Sequence, residues 1–225
     1  MLKRELKITE DGSHTLYVPE LNEHYHSTYG AVQEAQHVYI KAGLEYCCGK
    51  EIKILEAGFG TGLNTLLSLI YAVTHDIHIV YHSFEKYPLT FEEVEKLNYA
   101  GLFSEEFSKA FSDIHICEWG KEVKINDHFT LYKHQADFST VDFEAYFDLV
   151  YFDAFNPDVQ PGLWSKEILG LFCKALKKEG ILTTYCVKGI VKQALRSLGC
   201  SIERLPGPPG KREMLRAVNH SFTSI

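Results

Sequence analysis

The sequence predicts an α/β fold, a doubly wound and mainly parallel sheet, on three observations. A short apolar run at Ile52, Ile54, Leu55 and Ala57 breaks into Gly58, Gly60 and Gly62, then resumes with helical spacing at Leu63, Leu66, Leu67, Leu69, Ile70 and Val73. Strand-like and helix-like stretches alternate from there onward. A final pair of strands closes the chain around a Pro- and Gly-rich loop at residues 206–210.

A chain of 225 residues supports one domain, with residues 1–45 forming an N-terminal hairpin and helix and residues 46–225 the ligand-binding core. Hydrophobic content of 45% and charged content of 24% are those of a soluble globular protein. Apolar runs long enough to span a membrane are absent, and the opening MLKRELKITEDG lacks the apolar core of a secretory signal, so a cytoplasmic location is expected. The six cysteines form no C-x-x-C pair and read as reduced core thiols. Eleven histidines are scattered without zinc spacing, so no metal is expected. The net charge of −7 argues against nucleic acid at first, but residues 174–216 carry ten Lys or Arg against three Glu. One basic face on an acidic protein is therefore allowed, although solvated helix faces would give the same count.

In chain order, residues 2–8 and 14–18 alternate as two strands around a turn at 10–13. Residues 22–30, NEHYHSTYG, are rich in hydrogen-bonding and aromatic groups that a core does not need. They are a candidate site segment or a polar surface loop, ahead of an amphipathic helix at 31–43. In the glycine turn, positive φ and missing Cβ atoms would let backbone approach a ligand at a helix N-terminus. Its spacing is G-x-G-x-G, and Glu56 stands two residues before the first glycine. An acidic residue there disfavours a pyrophosphate and suits a ligand with an ammonium group, which favours S-adenosyl-L-methionine (AdoMet) over NAD.

Residues 77–84 form the next strand, and Glu85 at its end can accept hydrogen bonds from ribose hydroxyls. Helices are expected at 88–97 and 104–111 with a break at 98–101, then a hairpin of 121–125 and 128–132. Asp137 follows that hairpin and reads either as a contact to adenine or as the N-cap of a helix at 138–146. The buried strand 147–152 delivers Asp153, Ala154, Phe155, Asn156 and Pro157 at its carboxyl end, where ligands of open α/β sheets bind. A carboxylate and an aromatic ring on a stiffened loop suit a substrate amine. A helix at 166–177, a strand at 180–187 after a Lys-Lys-Glu-Gly turn, a helix at 190–198 and strands at 200–205 and 214–218 complete the chain.

Five stretches together resemble one family: GFGTGLN at 58–64, FEKYPL at 84–89, YFDAFNP at 151–157, GKREML at 210–215, and the EHYHS segment at 23–27. It is the bacterial tRNA 5-aminomethyl-2-thiouridine methyltransferase family, the MnmC-type methyltransferase domain in its free-standing, MnmD-like form. The resemblance implies a Rossmann-like class I AdoMet-dependent methyltransferase sheet with a small N-terminal β-hairpin and a terminal antiparallel strand. It implies N-methylation of the aminomethyl group of the wobble uridine in the tRNA anticodon region, without the FAD-dependent oxidase step, and a functional link to enzymes that make the aminomethyl group. By this carry-over Asp153 orients the amine and Phe155 packs near it. Glu56, Gly58, Gly60, Gly62 and Asn64 hold the methionine part and cradle of AdoMet, Glu85 the ribose and Asp137 the adenine. Lys211 and Arg212 meet phosphate or border the pocket, and His24, Tyr25 and His26 close over the uridine.

An aminopropyltransferase shares the glycine turn and the strand-end aspartate, and a small-molecule amine methyltransferase would need the same groups. Against the first, the usual paired acidic residues of the polyamine enzymes are not evident. A binding module without turnover is the third alternative, and Asp153 beside an intact glycine turn weighs against it.

Overall fold

The computed structural model describes residues 3–221. Three antiparallel strands, β1 (Glu5–Ile8), β2 (His14–Val18) and β3 (Glu23–His24), open the chain as a small separate sheet. The expected hairpin is present within these bounds, and Leu2 lies outside the described residues. The two-residue β3, which pairs Tyr17 with His24, sits inside the polar segment 22–30. Its shortness and polarity hid it from pattern reading.

Helix α1 (Ala31–Ala35) runs on into a π-helical turn, Gln36–Lys41. Strand β4 (Glu51–Ala57) then leads through the glycine turn into α2 (Leu63–His75), and β5 (His78–Phe84) follows. The helix expected over 88–97 is only α3 (Phe91–Val94), held by a capping box between Thr90 and Glu93, and the expected break at 98–101 is itself α4 (Tyr99–Leu102). After α5 (Glu105–Ile116) come β6 (Glu122–Asn126) and β7 (Phe129–His134). The helix expected at 138–146 is a single 3-10 turn, Phe138–Thr140, before β8 (Phe147–Phe152). Helix α6 (Lys166–Ala175) passes directly into β9 (Leu176–Thr184). The expected Lys-Lys-Glu-Gly turn is therefore part of the strand, where Glu179 at φ 62° accompanies a register shift against β8. Helix α7 (Gly189–Ser197), β10 (Cys200–Pro206) and β11 (Glu213–Asn219) end the fold.

The eight strands order as β10-β11-β9-β8-β4-β5-β7-β6. Pairs β7–β5, β5–β4, β4–β8 and β8–β9 are parallel, whereas β11 runs antiparallel to both β9 and β10, and β6 antiparallel to β7. Connections leave β4 in one direction for β5 and β7, then return to its other side at β8. The crevice at the carboxyl ends of β4 and β8 is thus the topological switch point, where such sheets bind ligands.

Both faces of this sheet are covered, which explains its near-continuous apolar strands. Ile52 and Ile54 of β4 pack with Leu66 and Leu69 of α2 and with the helical run after residue 31. Leu55 and Ala57 face the opposite layer with Phe172 of α6 and Leu195 of α7. No helix among the described residues is long and apolar enough to cross a membrane.

Candidate active site

A cavity of about 470 Å³ opens at this switch point, within the usual size of a small-molecule site. Its floor is the glycine turn. Gly58, Gly60 and Gly62 have φ of 95°, 48° and 73°, and a Cβ on Gly58 would lie 2.8 Å from the Asp153 carbonyl oxygen. The turn hangs between strand ends, with the N–H groups of Gly58 and Phe59 donating to the Phe84 carbonyl and that of Asp153 to the Ala57 carbonyl.

Asp153 lines the cavity next to this floor and accepts a 2.9 Å hydrogen bond from Asn64 Nδ2. The surrounding protein raises its carboxyl to about 6, and the nearby Glu34 charge adds to this, while contacts from Tyr39 and Asn64 hold it down. Tyr39 reaches this position from the π-helical turn, a widened geometry that often marks functional positions. Its hydroxyl and Asn64 Oδ1 are both buried without a hydrogen bond among the described residues.

Beyond Asp153, the Phe155 ring meets that of Tyr25 edge to face at 5.1 Å. Tyr25 comes from the N-terminal sheet, and Arg4 Nε donates to its hydroxyl at 2.9 Å. Burial raises that phenol to about 12. His24 lines the cavity too, against Tyr17. His26 is buried, with Nε2 2.7 Å from Thr61 Oγ1, and desolvation lowers it to about 4, so it is neutral. On the far wall, Glu85 accepts from the N–H groups of Gly60 (3.2 Å) and Tyr87 (2.8 Å). Asp137 also lines the cavity and at the same time caps the 3-10 turn, accepting from Ser139 N–H and from Lys86 Nζ. Those bonds, the Ser139 N–H foremost, lower it to about 2. The N-cap reading of Asp137 is met at a 3-10 turn rather than a helix, by a side chain that also borders the cavity.

Three expected site residues do not line the cavity. At Gly62, whose φ is 73°, a Cβ would come 2.7 Å from His115 Nε2 instead. Glu56 is fully buried and does not line the cavity, because strand alternation turns it to the face covered by α2. It accepts 2.6 Å and 3.3 Å bonds from the Ser83 and Thr65 hydroxyls, and desolvation lifts it to about 8. Arg212 borders an adjacent depression, whereas Lys211 enters the cavity, pairs with Glu34 at 2.6 Å and stands 4.0 Å above the Tyr185 ring.

Sequence reading singled out the segment that holds Tyr29 but missed Arg4, Glu34, Thr61 and Tyr185, all lining the cavity. Glu34 sat within the expected amphipathic helix, and a buried acid there was the available signal; Arg4 carried none, being brought in from 89 residues away by its pairing with Glu93. Among the described residues no group of three or more His, Cys, Asp or Glu is placed to hold a metal.

The side chains present fit AdoMet. Cβ atoms on Gly58 and Gly60 would meet the Asp153 carbonyl oxygen and the Tyr25 ring at the cavity's edge, Glu85 presents a carboxylate on its wall, and Asn64 offers an unpaired buried acceptor.

Comparison with known proteins agrees. Residues 89–220 match the sequence profile of an S-adenosyl-L-methionine-dependent methyltransferase family. The chain is 31% identical over 208 residues to the tRNA 5-methylaminomethyl-2-thiouridine biosynthesis bifunctional protein MnmC of Leptospira interrogans, covering 85% of this chain and 32% of that protein. The MnmC of Azoarcus sp. is 32% identical, with 94% and 35% covered. This chain thus spans about a third of the length of these curated relatives. The crystal structure of MNMC2 from Aquifex aeolicus superposes with a TM-score of 0.82 at 25% identity, covering 100% of this chain and 73% of that one. Spermidine synthase from Thermotoga maritima superposes at 0.54 with 15% identity, covering 97% and 72%, a likeness of fold alone. With its glycine cradle, its strand order and the matched profile in agreement, the chain belongs to the S-adenosyl-L-methionine-dependent methyltransferase family and is an enzyme of that class.

Proposed function

We propose that this enzyme transfers a methyl group from AdoMet to the exocyclic primary amine of 5-aminomethyl-2-thiouridine at the tRNA wobble position, giving the 5-methylaminomethyl product. The observation that carries the reading is Asp153, a carboxylate fixed by Asn64 beside the glycine turn and flanked by the Tyr25–Phe155 ring pair. The names of the MnmC relatives support the choice of substrate.

When bound, AdoMet supplies an electrophilic methyl on its sulfonium. Gly58, Gly60, Gly62 and Asn64 would hold its amino-acid end, Glu85 its ribose and Asp137 its adenine. An alkylammonium has no lone pair, so the site must hold the amine neutral and aim it along the line of transfer. Asp153 accepts an N–H hydrogen bond from the amine and so fixes where the lone pair points. A carboxyl near 6 is also a better proton acceptor than an ordinary aspartate, which suits it to take up the proton that the methylated amine must lose. Tyr25 and Phe155 exclude water and contact the base.

The test is mass spectrometry of nucleosides from tRNA bearing 5-aminomethyl-2-thiouridine after incubation with AdoMet and this protein. A gain of one methyl on that nucleoside is the expected outcome. Folded, AdoMet-binding protein that leaves it unchanged would overturn the reading, and a spermidine product from decarboxylated AdoMet and a polyamine would replace it.

A further inference from the structure

Two groups at the cavity mouth have no part in the chemistry above: the Tyr29 ring and the Arg212 guanidinium. Tyr29 lines the cavity yet is 48% exposed. One side of its ring lies over Gly210, so close that a Cβ there would come within 2.2 Å of Tyr29 Cδ2. Gly210, at φ 82°, is thus a glycine for two reasons, and the Pro-rich loop holds the ring as a fixed platform.

Lys211, next in the chain, turns inward to Glu34, while Arg212 turns outward into a second depression of about 560 Å³. Asn156, Tyr185 and Lys211 border both spaces, so the depression continues the cavity. Lys188 in it is paired with Asp158. The Arg212 guanidinium has neither an ion pair nor a hydrogen bond among the described residues, and the residue is exposed, while its carbonyl accepts from Gly207 N–H.

We infer that Tyr29 and Arg212 hold the RNA nucleotide adjacent to the target: its base stacks on the open side of the Tyr29 ring and its phosphate is bound by the Arg212 guanidinium. The inference rests on the RNA reading above. A target base turned into the cavity leaves its neighbour without a stacking partner, and a held aromatic ring replaces that partner without regard to sequence. A planar guanidinium matches phosphate oxygens in pairs, and here it spends nothing on a competing carboxylate.

The experiment measures steady-state methylation of tRNA carrying the substrate nucleoside, with AdoMet binding by calorimetry showing that each variant is folded. Tyr29→Ala should raise KM for RNA by roughly 5- to 100-fold, with a smaller change in kcat, and Tyr29→Phe, which keeps the ring, should restore it. Arg212→Gln should reduce the slope of log KM against log salt by about 0.7. A folded Tyr29→Ala variant with unchanged KM overturns the inference. If the wild type methylates no RNA, the functional reading fails separately. Fluorescence anisotropy with labelled anticodon stem-loop RNA then decides: weaker binding by Tyr29→Ala upholds the platform, and equal binding removes it.

Discussion

The three-stranded N-terminal sheet and the eight-stranded sheet build opposite walls of one cavity, but different forces hold them. In the large sheet Ile54, Leu55, Leu149 and Val150 are wholly buried, and each such side chain contributes about 1.5–3 kcal/mol. Strand β1, by contrast, is mostly exposed. Strand β2 places Leu16 and Val18 in the core, and the rest of the small sheet is docked by directional polar contacts. Arg4 pairs with Glu93 at 3.1 Å and donates to the Tyr87 carbonyl, His14 N–H donates to Asn98 Oδ1, and Tyr99 OH donates to the His14 carbonyl. Each neutral bond of this kind is worth about 0.5–1.5 kcal/mol net. The wall that carries Asp153 is therefore fixed by the whole core, and the wall that carries Tyr25 by two buried side chains, Leu16 and Val18, and a few replaceable polar groups.

The largest effect should come from the fixed wall. Asp153→Asn keeps the shape and the bond to Asn64 but loses the charge, and the methylation rate should fall roughly 10²- to 10⁴-fold with AdoMet affinity retained. Equal rates in nucleoside mass spectrometry would make Asp153 a structural residue. On the other wall, Arg4→Ala leaves Glu93 and Tyr25 without their partner. Local stability of the small sheet should drop by about 3–5 kcal/mol. Hydrogen exchange should accelerate in strands β1 to β3 and stay slow in β4 and β8; uniform acceleration would refute separate docking.

A titration separates the walls further. Burial holds Glu56 protonated up to about 8, so its contribution to stability is complete below 4.5 and is lost as pH rises through about 8. Glu56→Gln cannot ionise and should recover a few kcal/mol at about pH 9, seen as a flatter series of melting temperatures. His26, two residues past β3, has the opposite sign: its pKa is lowered, so its contribution is complete above 6.5 and is lost as pH falls through about 4. In Gly58→Ala, strain at φ 95° should cost about 1–3 kcal/mol, to which the Cβ approach of 2.8 Å to the Asp153 carbonyl oxygen adds, and AdoMet binding measured by calorimetry should weaken.

Much of the large sheet was legible in the sequence, since a strand covered on both faces must be apolar throughout and an amphipathic helix must repeat its spacing. The glycine turn and Asp153 were legible for the same reason: a positive φ demands glycine, and a strand end in this fold class faces the crevice. The short elements were not. The helix over 88–97 starts only at Phe91, because its capping box sits at Thr90, and stops at Val94, and the π-helical turn that carries Tyr39 leaves no mark in hydrophobic spacing.

Order along the chain alone thus determined the parallel sheet, the ligand-bearing turn and the acid beside it, because these follow from local periodicity and backbone constraint. Only tertiary structure decided that Glu56 turns under α2, that Asp137 both caps a turn and lines the cavity, and that Arg4, Glu34 and Tyr185 reach the site. Those outcomes depend on which face a strand presents and on polar pairs formed across many residues, as between Lys211 and Glu34, and no local pattern encodes either.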